Sequence, residues 1–126
     1  MRMETIRLQS TEKTPEVLLD PSGLIRITGR SIHEDPDKYF APLTEWIEEY
    51  CQHPQDITRV EIAMEYFNSS SAKYILTMLQ MLTGLLDKGL QVQINWVYEE
   101  GDDDILERGQ YYSSVLQVPF KYKETD

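Results

Sequence analysis

Ile57-Thr58-Arg59-Val60-Glu61-Ile62-Ala63-Met64-Glu65-Tyr66-Phe67 followed by Asn68-Ser69-Ser70-Ser71-Ala72-Lys73 turns a strand pattern into a helix pattern across one short polar turn. Val60, Ile62, Met64 and Tyr66 alternate on one face. Ala63 and Phe67 share the other with Glu61 and Glu65, which predicts a largely buried strand. The helix that follows is expected from about Ser70 to Lys88, with Gly89 as its C-terminal stop. At 100° per residue its apolar side chains cover an arc of about 220°, more than one sheet face requires. Ala72, Ile75, Leu79, Leu82 and Leu86 form its centre and Leu76 one flank. Tyr74, Met78, Met81 and Leu85 form the other flank, which either another helix or a partner surface must cover.

Upstream, Ile6 and Leu8 alternate with polar residues as a short edge strand. Val17-Leu18-Leu19 and Leu24-Ile25-Arg26-Ile27-Thr28 flank Asp20-Pro21-Ser22-Gly23, the composition of a tight turn, and predict an antiparallel hairpin that Gly29 closes. Ser31 to Pro36 then reads as a loop. Tyr39, Phe40, Leu43, Trp46, Ile47 and Tyr50 mark one face of a helix over Asp37 to Gln52, with Asp35-Pro36 at its start. Downstream, Leu90 to Tyr98 is the clearest strand. A weaker helix over Ile105 to Leu116, interrupted by Gly109, follows, and Val118, Phe120 and Tyr122 form a last strand that Pro119 places at an edge. Alternating elements of this kind describe an α/β fold with a mixed sheet and three main helices. A chain of 126 residues fits one domain over residues 1–126.

Twelve Lys and Arg against 22 Asp and Glu leave a formal net charge of -10. Nucleic acids and anionic membranes attract basic surfaces, so neither is an expected partner; a basic or neutral protein surface is. Met1-Arg2-Met3-Glu4-Thr5 lacks the apolar run of a signal peptide, and Cys51 is the single cysteine, which together point to the cytoplasm. No catalytic constellation is legible. His33 and His53 stand in expected loops without a fixing motif, Cys51 reads as a helix-end residue, and no Gly-rich phosphate loop is present. No cofactor or metal is therefore expected. The acidic run Glu99-Glu100-Gly101-Asp102-Asp103-Asp104 with Glu107 departs from the calcium-loop spacing and suits a helix N-terminus, where carboxylates meet the positive end of the dipole; contact with a partner is the second reading, and a metal site on Asp102, Asp103 and Asp104, which would lack a base for hydrolysis, the least favoured.

The serine turn has two physical readings. Asn68, Ser69 or Ser70 can cap the helix. A phosphate there would instead meet free backbone amides and the positive dipole end, with Lys73 one turn along from Ser69.

Several stretches together resemble the SiaC family of bacterial regulatory phosphoproteins. They are Thr11-Glu12-Lys13-Thr14-Pro15, Gly29-Arg30-Ser31-Ile32-His33-Glu34-Asp35, Phe40-Ala41-Pro42-Leu43, Trp46-Ile47, Tyr66 to Ser71 and Trp96-Val97-Tyr98-Glu99. The resemblance implies a fold similar to the STAS domains of anti-sigma-factor antagonists and a non-enzymatic switch. In that family the residue after the turn asparagine, usually threonine, is the phosphoacceptor. It corresponds to Ser69, with Ser70 and Ser71 as alternates. The implied partners are a dedicated protein kinase, a PP2C-type phosphatase and an output protein such as a diguanylate cyclase. Asn68, Lys73 and an exposed α-helical flank of Tyr74, Met78 and Met81 are the expected partner contacts. A constitutive acidic binding module, in which the serines only cap the helix, is the alternative.

Overall fold

The computed structural model describes residues 3–126; Met1 and Arg2, which enter the signal-peptide expectation, lie outside them. The elements run β1 (Ile6–Leu8), β2 (Glu16–Asp20), β3 (Leu24–Ser31), α1 (Pro36–Tyr50), β4 (Ile57–Phe67), α2 (Ser69–Thr83), β5 (Gln91–Glu99), α3 (Asp103–Leu116) and β6 (Lys121–Thr125). All six strands form one sheet in the order of the chain. β1, β2 and β3 pair antiparallel, and β3, β4, β5 and β6 pair parallel. This is the expected α/β fold with a mixed sheet and three helices. The three parallel crossovers step the same way across the sheet, so their common right-handedness places α1, α2 and α3 on one face. Among the described residues no helix is long and apolar enough to cross a membrane.

Local chemistry sets the boundaries. Ser22 N–H donates to the Asp20 carboxylate at 2.9 Å, and hydrogen bonding from Ser22 holds that carboxyl below its ordinary value. Gly23, at φ 103°, completes the turn; a side chain there would also meet the Ile57 carbonyl at 2.6 Å. Asp35 caps α1 by accepting from Lys38 N–H, and Pro36 sits at the first helical position.

Two departures from the expected elements share one cause, a local change of period, and a third is a helix that runs on through its glycine. β3 does not close at Gly29 but continues to Ser31, and a register step pairs Gly29 with Met64 and Arg30 with Tyr66, leaving Glu65 as an extra residue of β4. The bulge inverts the alternation beyond it. Tyr66 is 56% exposed and Phe67 is 6% exposed, the reverse of the simple pattern. At the other end of α2 the α-helix stops at Thr83 and Gly84–Lys88 tightens into a 3-10 turn. Its rotation of about 120° per residue carries Leu85 into the core and Leu86 out to solvent. α3 begins at Asp103 and passes through Gly109 without interruption.

The wide apolar arc of α2 is answered within the fold. α1 lies along its Tyr74, Met78, Met81 and Leu85 side: Phe40 and Tyr74 rings stack at 5.1 Å, and the Cys51 thiol donates to the Met81 carbonyl at 3.5 Å. Met78 is 2% exposed and part of the core, so it presents nothing to a partner, while Tyr74 and Met81 are half-buried. The expectation of an exposed flank is corrected accordingly. Helix-to-helix burial, worth about 1.5–3 kcal/mol for a side chain such as Met78, takes precedence.

Candidate functional site

The serine turn joins the C-terminal end of β4 to the first turn of α2. Asn68 N–H donates to the Ser31 carbonyl at 3.1 Å, which ties the turn to the end of β3. The Asn68 side chain accepts from Ser71 N–H at 2.9 Å, so Asn68 is the cap. Capping therefore needs none of the three serines. Ser31 Oγ donates to Ser71 Oγ at 2.8 Å with both residues fully buried. Ser71 is thus taken up in a buried structural bond that holds the turn against β3. Ser69 and Ser70 are exposed and occupy the first two helical positions, whose N–H groups have no acceptor within the helix.

A second set of contacts reaches the same turn from α3. The Tyr112 hydroxyl donates to the Ala72 carbonyl at 3.2 Å in a buried position. Burial pushes the Tyr112 phenol up, and Arg108 beside it pulls the other way. The Arg108 guanidinium lies 5.4 Å from the centre of the Phe67 ring, and Phe67 meets Trp96 edge to face at 6.4 Å. Between the end of β4 and α3 opens a cleft of about 570 Å³, with Tyr66, Tyr111 and Arg108 at its wall and the carboxylates of Glu65, Asp102 and Asp104 around it. On the far side Lys73 is exposed, with Nζ 5.1 Å from the Tyr74 ring centre.

The acidic run builds the start of α3. Asp102 caps it by accepting from Ile105 N–H at 3.1 Å, and Asp103 and Asp104 fill the first turn. Among the described residues no three His, Cys, Asp or Glu side chains converge as metal ligands. His33 Nδ1 accepts from Asp35 N–H at 2.9 Å and its ring stacks on Tyr39 at 5.9 Å. His53 is exposed beyond α1, and burial pushes the Cys51 thiol up, against the nearby Lys88. The exposed serines have positive helix-end amides at hand; Lys73 follows Ser69 by one turn of α2, and Arg108 stands over Phe67, two residues before it.

Sequence reasoning singled out Asn68, Ser69 and Lys73 but not Ser31 or Arg108, which the structure brings against Ser71 and Phe67 on either side of the turn. Ser31 is forty residues from its partner and no spacing rule links them. Arg108 stands in a mixed-charge helix whose packing side is decided by Gly109.

The comparisons agree with this architecture. SiaC of Pseudomonas aeruginosa superposes with a TM-score of 0.84 at 21% identity, covering 98% of this chain and 100% of that one. The SiaC in the crystal structure of diguanylate cyclase SiaD in complex with its activator SiaC, from the same organism, gives a TM-score of 0.88 at 21% identity over 95% and 99%. An uncharacterised protein of Pseudomonas aeruginosa is 22% identical over 125 residues, 98% of this chain and 99% of that protein. The model of the SiaC family regulatory phosphoproteins matches residues 8–125, nearly the whole chain. The chain belongs to the SiaC family of regulatory phosphoproteins.

Proposed function

We propose that this regulatory phosphoprotein is a partner-switching protein whose phosphoacceptor is Ser69. A dedicated kinase transfers the γ-phosphoryl group of ATP to Ser69 Oγ, the hydroxyl proton leaves and ADP is released. A PP2C-type phosphatase hydrolyses the ester with water, returning serine and inorganic phosphate. The unphosphorylated form binds the output protein, a diguanylate cyclase, and raises its activity without doing chemistry itself.

One observation carries the reading: Asn68 performs the cap, leaving Ser69 exposed at the first position of α2 with no structural task. A phosphate there gains the unpaired amides and the positive end of the helix dipole. It also adds about -1.5 to -2 charges and considerable bulk to the surface around the turn, enough to expel a partner fitted to the neutral serine. The complex of SiaD with its activator SiaC supports the choice of a diguanylate cyclase as output. Asn68, Lys73 and the half-buried edges of Tyr74 and Met81 contribute to the contact surface; Met78 stabilises it from below.

Mass spectrometry of the protein after incubation with its kinase and ATP tests the assignment. The expected result is a single phosphate on Ser69. Modification confined to residues outside Ser69 and Ser70 would remove the mechanism.

A further inference from the structure

We propose that Arg108 receives the phosphate carried by Ser69, leaving its place over the Phe67 ring to form a charge-assisted pair across the α2–α3 boundary. The inference rests on the phosphoacceptor reading above and adds the residue that reads the modification.

Three observations lead to it. The first is helical phase. Tyr112 of α3 bonds the Ala72 carbonyl, which marks the side of α2 that faces α3. At 100° per residue Ser69 lies about 60° from Ala72 around the helix, whereas Ser70 lies about 160° away and Tyr74, on the α1 side, about as far. Ser69 therefore shares the α3 flank and Ser70 does not.

The second is position. The Arg108 guanidinium is bracketed by both sides of the serine turn: it sits 5.4 Å from the Phe67 ring centre, two residues before Ser69, and beside Tyr112, which holds Ala72, three residues after it. The third is availability. Among the described residues the ion pairs are Lys13 with Glu34, Arg26 with Glu61 and Arg30 with Glu65; Arg108 is in none, although Asp104 is one turn away on its own helix. Its side chain is exposed and held by a ring face. A guanidinium so held offers a planar fork of N–H donors to a phosphate and gives up a modest cation–π contact and part of its interaction with the Tyr112 hydroxyl to do so. With its guanidinium turned to Ser69, the acid-rimmed cleft loses its cation.

The test uses the full chain with phosphoserine genetically encoded at position 69, so that it does not depend on any kinase. The phosphate is titrated by phosphorus NMR in the parent and in Arg108→Gln. An isolated phosphoserine has its second pKa at about 6. The helix end lowers it in both proteins, so the difference between them isolates Arg108. Arg108→Gln is expected to raise the value by about half a unit, as an exposed ion pair does, with partial restoration by Arg108→Lys. Phosphoserine encoded at position 70 is expected to titrate identically with and without Arg108. Equal titration of the position-69 phosphate in parent and Arg108→Gln overturns the proposal, as does an equal effect of Arg108 at both positions. A kinase that leaves Ser69 unmodified would instead count against the phosphoacceptor reading, while leaving the measured pairing intact.

Discussion

Gly109→Ala sets two known effects against each other, and the structure decides the sign. In an unobstructed helix the change from glycine gains about 1 kcal/mol through reduced backbone entropy in the unfolded chain. Here a Cβ at position 109 would stand 2.6 Å from Trp96 Cδ1, 2.6 Å from Nε1 and 2.7 Å from Cε2, where ordinary contact begins at 3.4 Å. About 0.8 Å of separation must be found. The indole cannot yield it, because its N–H donates to the Ile105 carbonyl at 2.9 Å and the ring is fully buried among Phe67, Tyr112 and Phe120. α3 has to lift from β5, straining the Tyr112–Ala72 bond as it goes. Overpacking of this kind costs about 1–3 kcal/mol, and contact with three ring atoms places it at the upper end. The net expectation is a loss of about 2 kcal/mol, or about 8 °C in Tm for a chain of this size. Urea unfolding followed by tryptophan fluorescence and far-UV dichroism measures it. Gly84→Ala is the internal control. Gly84 has φ -59° and nothing within 4 Å of the added carbon, so that variant should gain about 0.5–1 kcal/mol. A Gly109→Ala protein as stable as the parent would refute the reasoning.

Asn68→Ala removes the cap of α2 and is expected to lower stability by about 1 kcal/mol in urea titration, with Asn68→Asp retaining most of it. Thr44 Oγ1 is buried without a hydrogen-bond partner among the described residues, so Thr44→Val should leave the chain as stable or raise it by about 1 kcal/mol in the same assay. Burial raises the phenols of Tyr39 and Tyr112 above their ordinary 10.0. The unfolded chain then ionises first, so this contribution to stability is intact below pH 10 and is lost as pH rises through the folded-state values. Tyr112→Phe, compared with the parent by urea midpoints on both sides of pH 10, should flatten that decline.

Much of the fold was legible because long elements keep one period. The strict alternation of Leu90 to Tyr98, the turn residues Asp20 to Gly23 and the Phe40, Leu43, Ile47 and Tyr50 stripe each correspond to an element of the structure. What was not legible lay where the period changes. The extra Glu65 exchanged the roles of Tyr66 and Phe67, and the 3-10 turn exchanged those of Leu85 and Leu86. Gly109 looked like a helix breaker because an intimate contact with Trp96, thirteen positions earlier, leaves no local trace. The width of the α2 arc was real, but periodicity carries no information on whether another helix or a partner covers it; α1 does. At the site, the turn and its serines stood out in sequence, whereas the division of labour among them did not. That division depends on Ser31, which arrives from β3 to occupy Ser71, and on Asn68, which takes the cap.

The switch itself is tested most directly by titration calorimetry of the unphosphorylated protein and of the protein carrying phosphoserine at position 69 against a diguanylate cyclase that the unphosphorylated form binds. The account predicts tight binding by the unphosphorylated form and at least a tenfold loss, about 1.4 kcal/mol, on phosphorylation. Equal affinity of the two forms would contradict it.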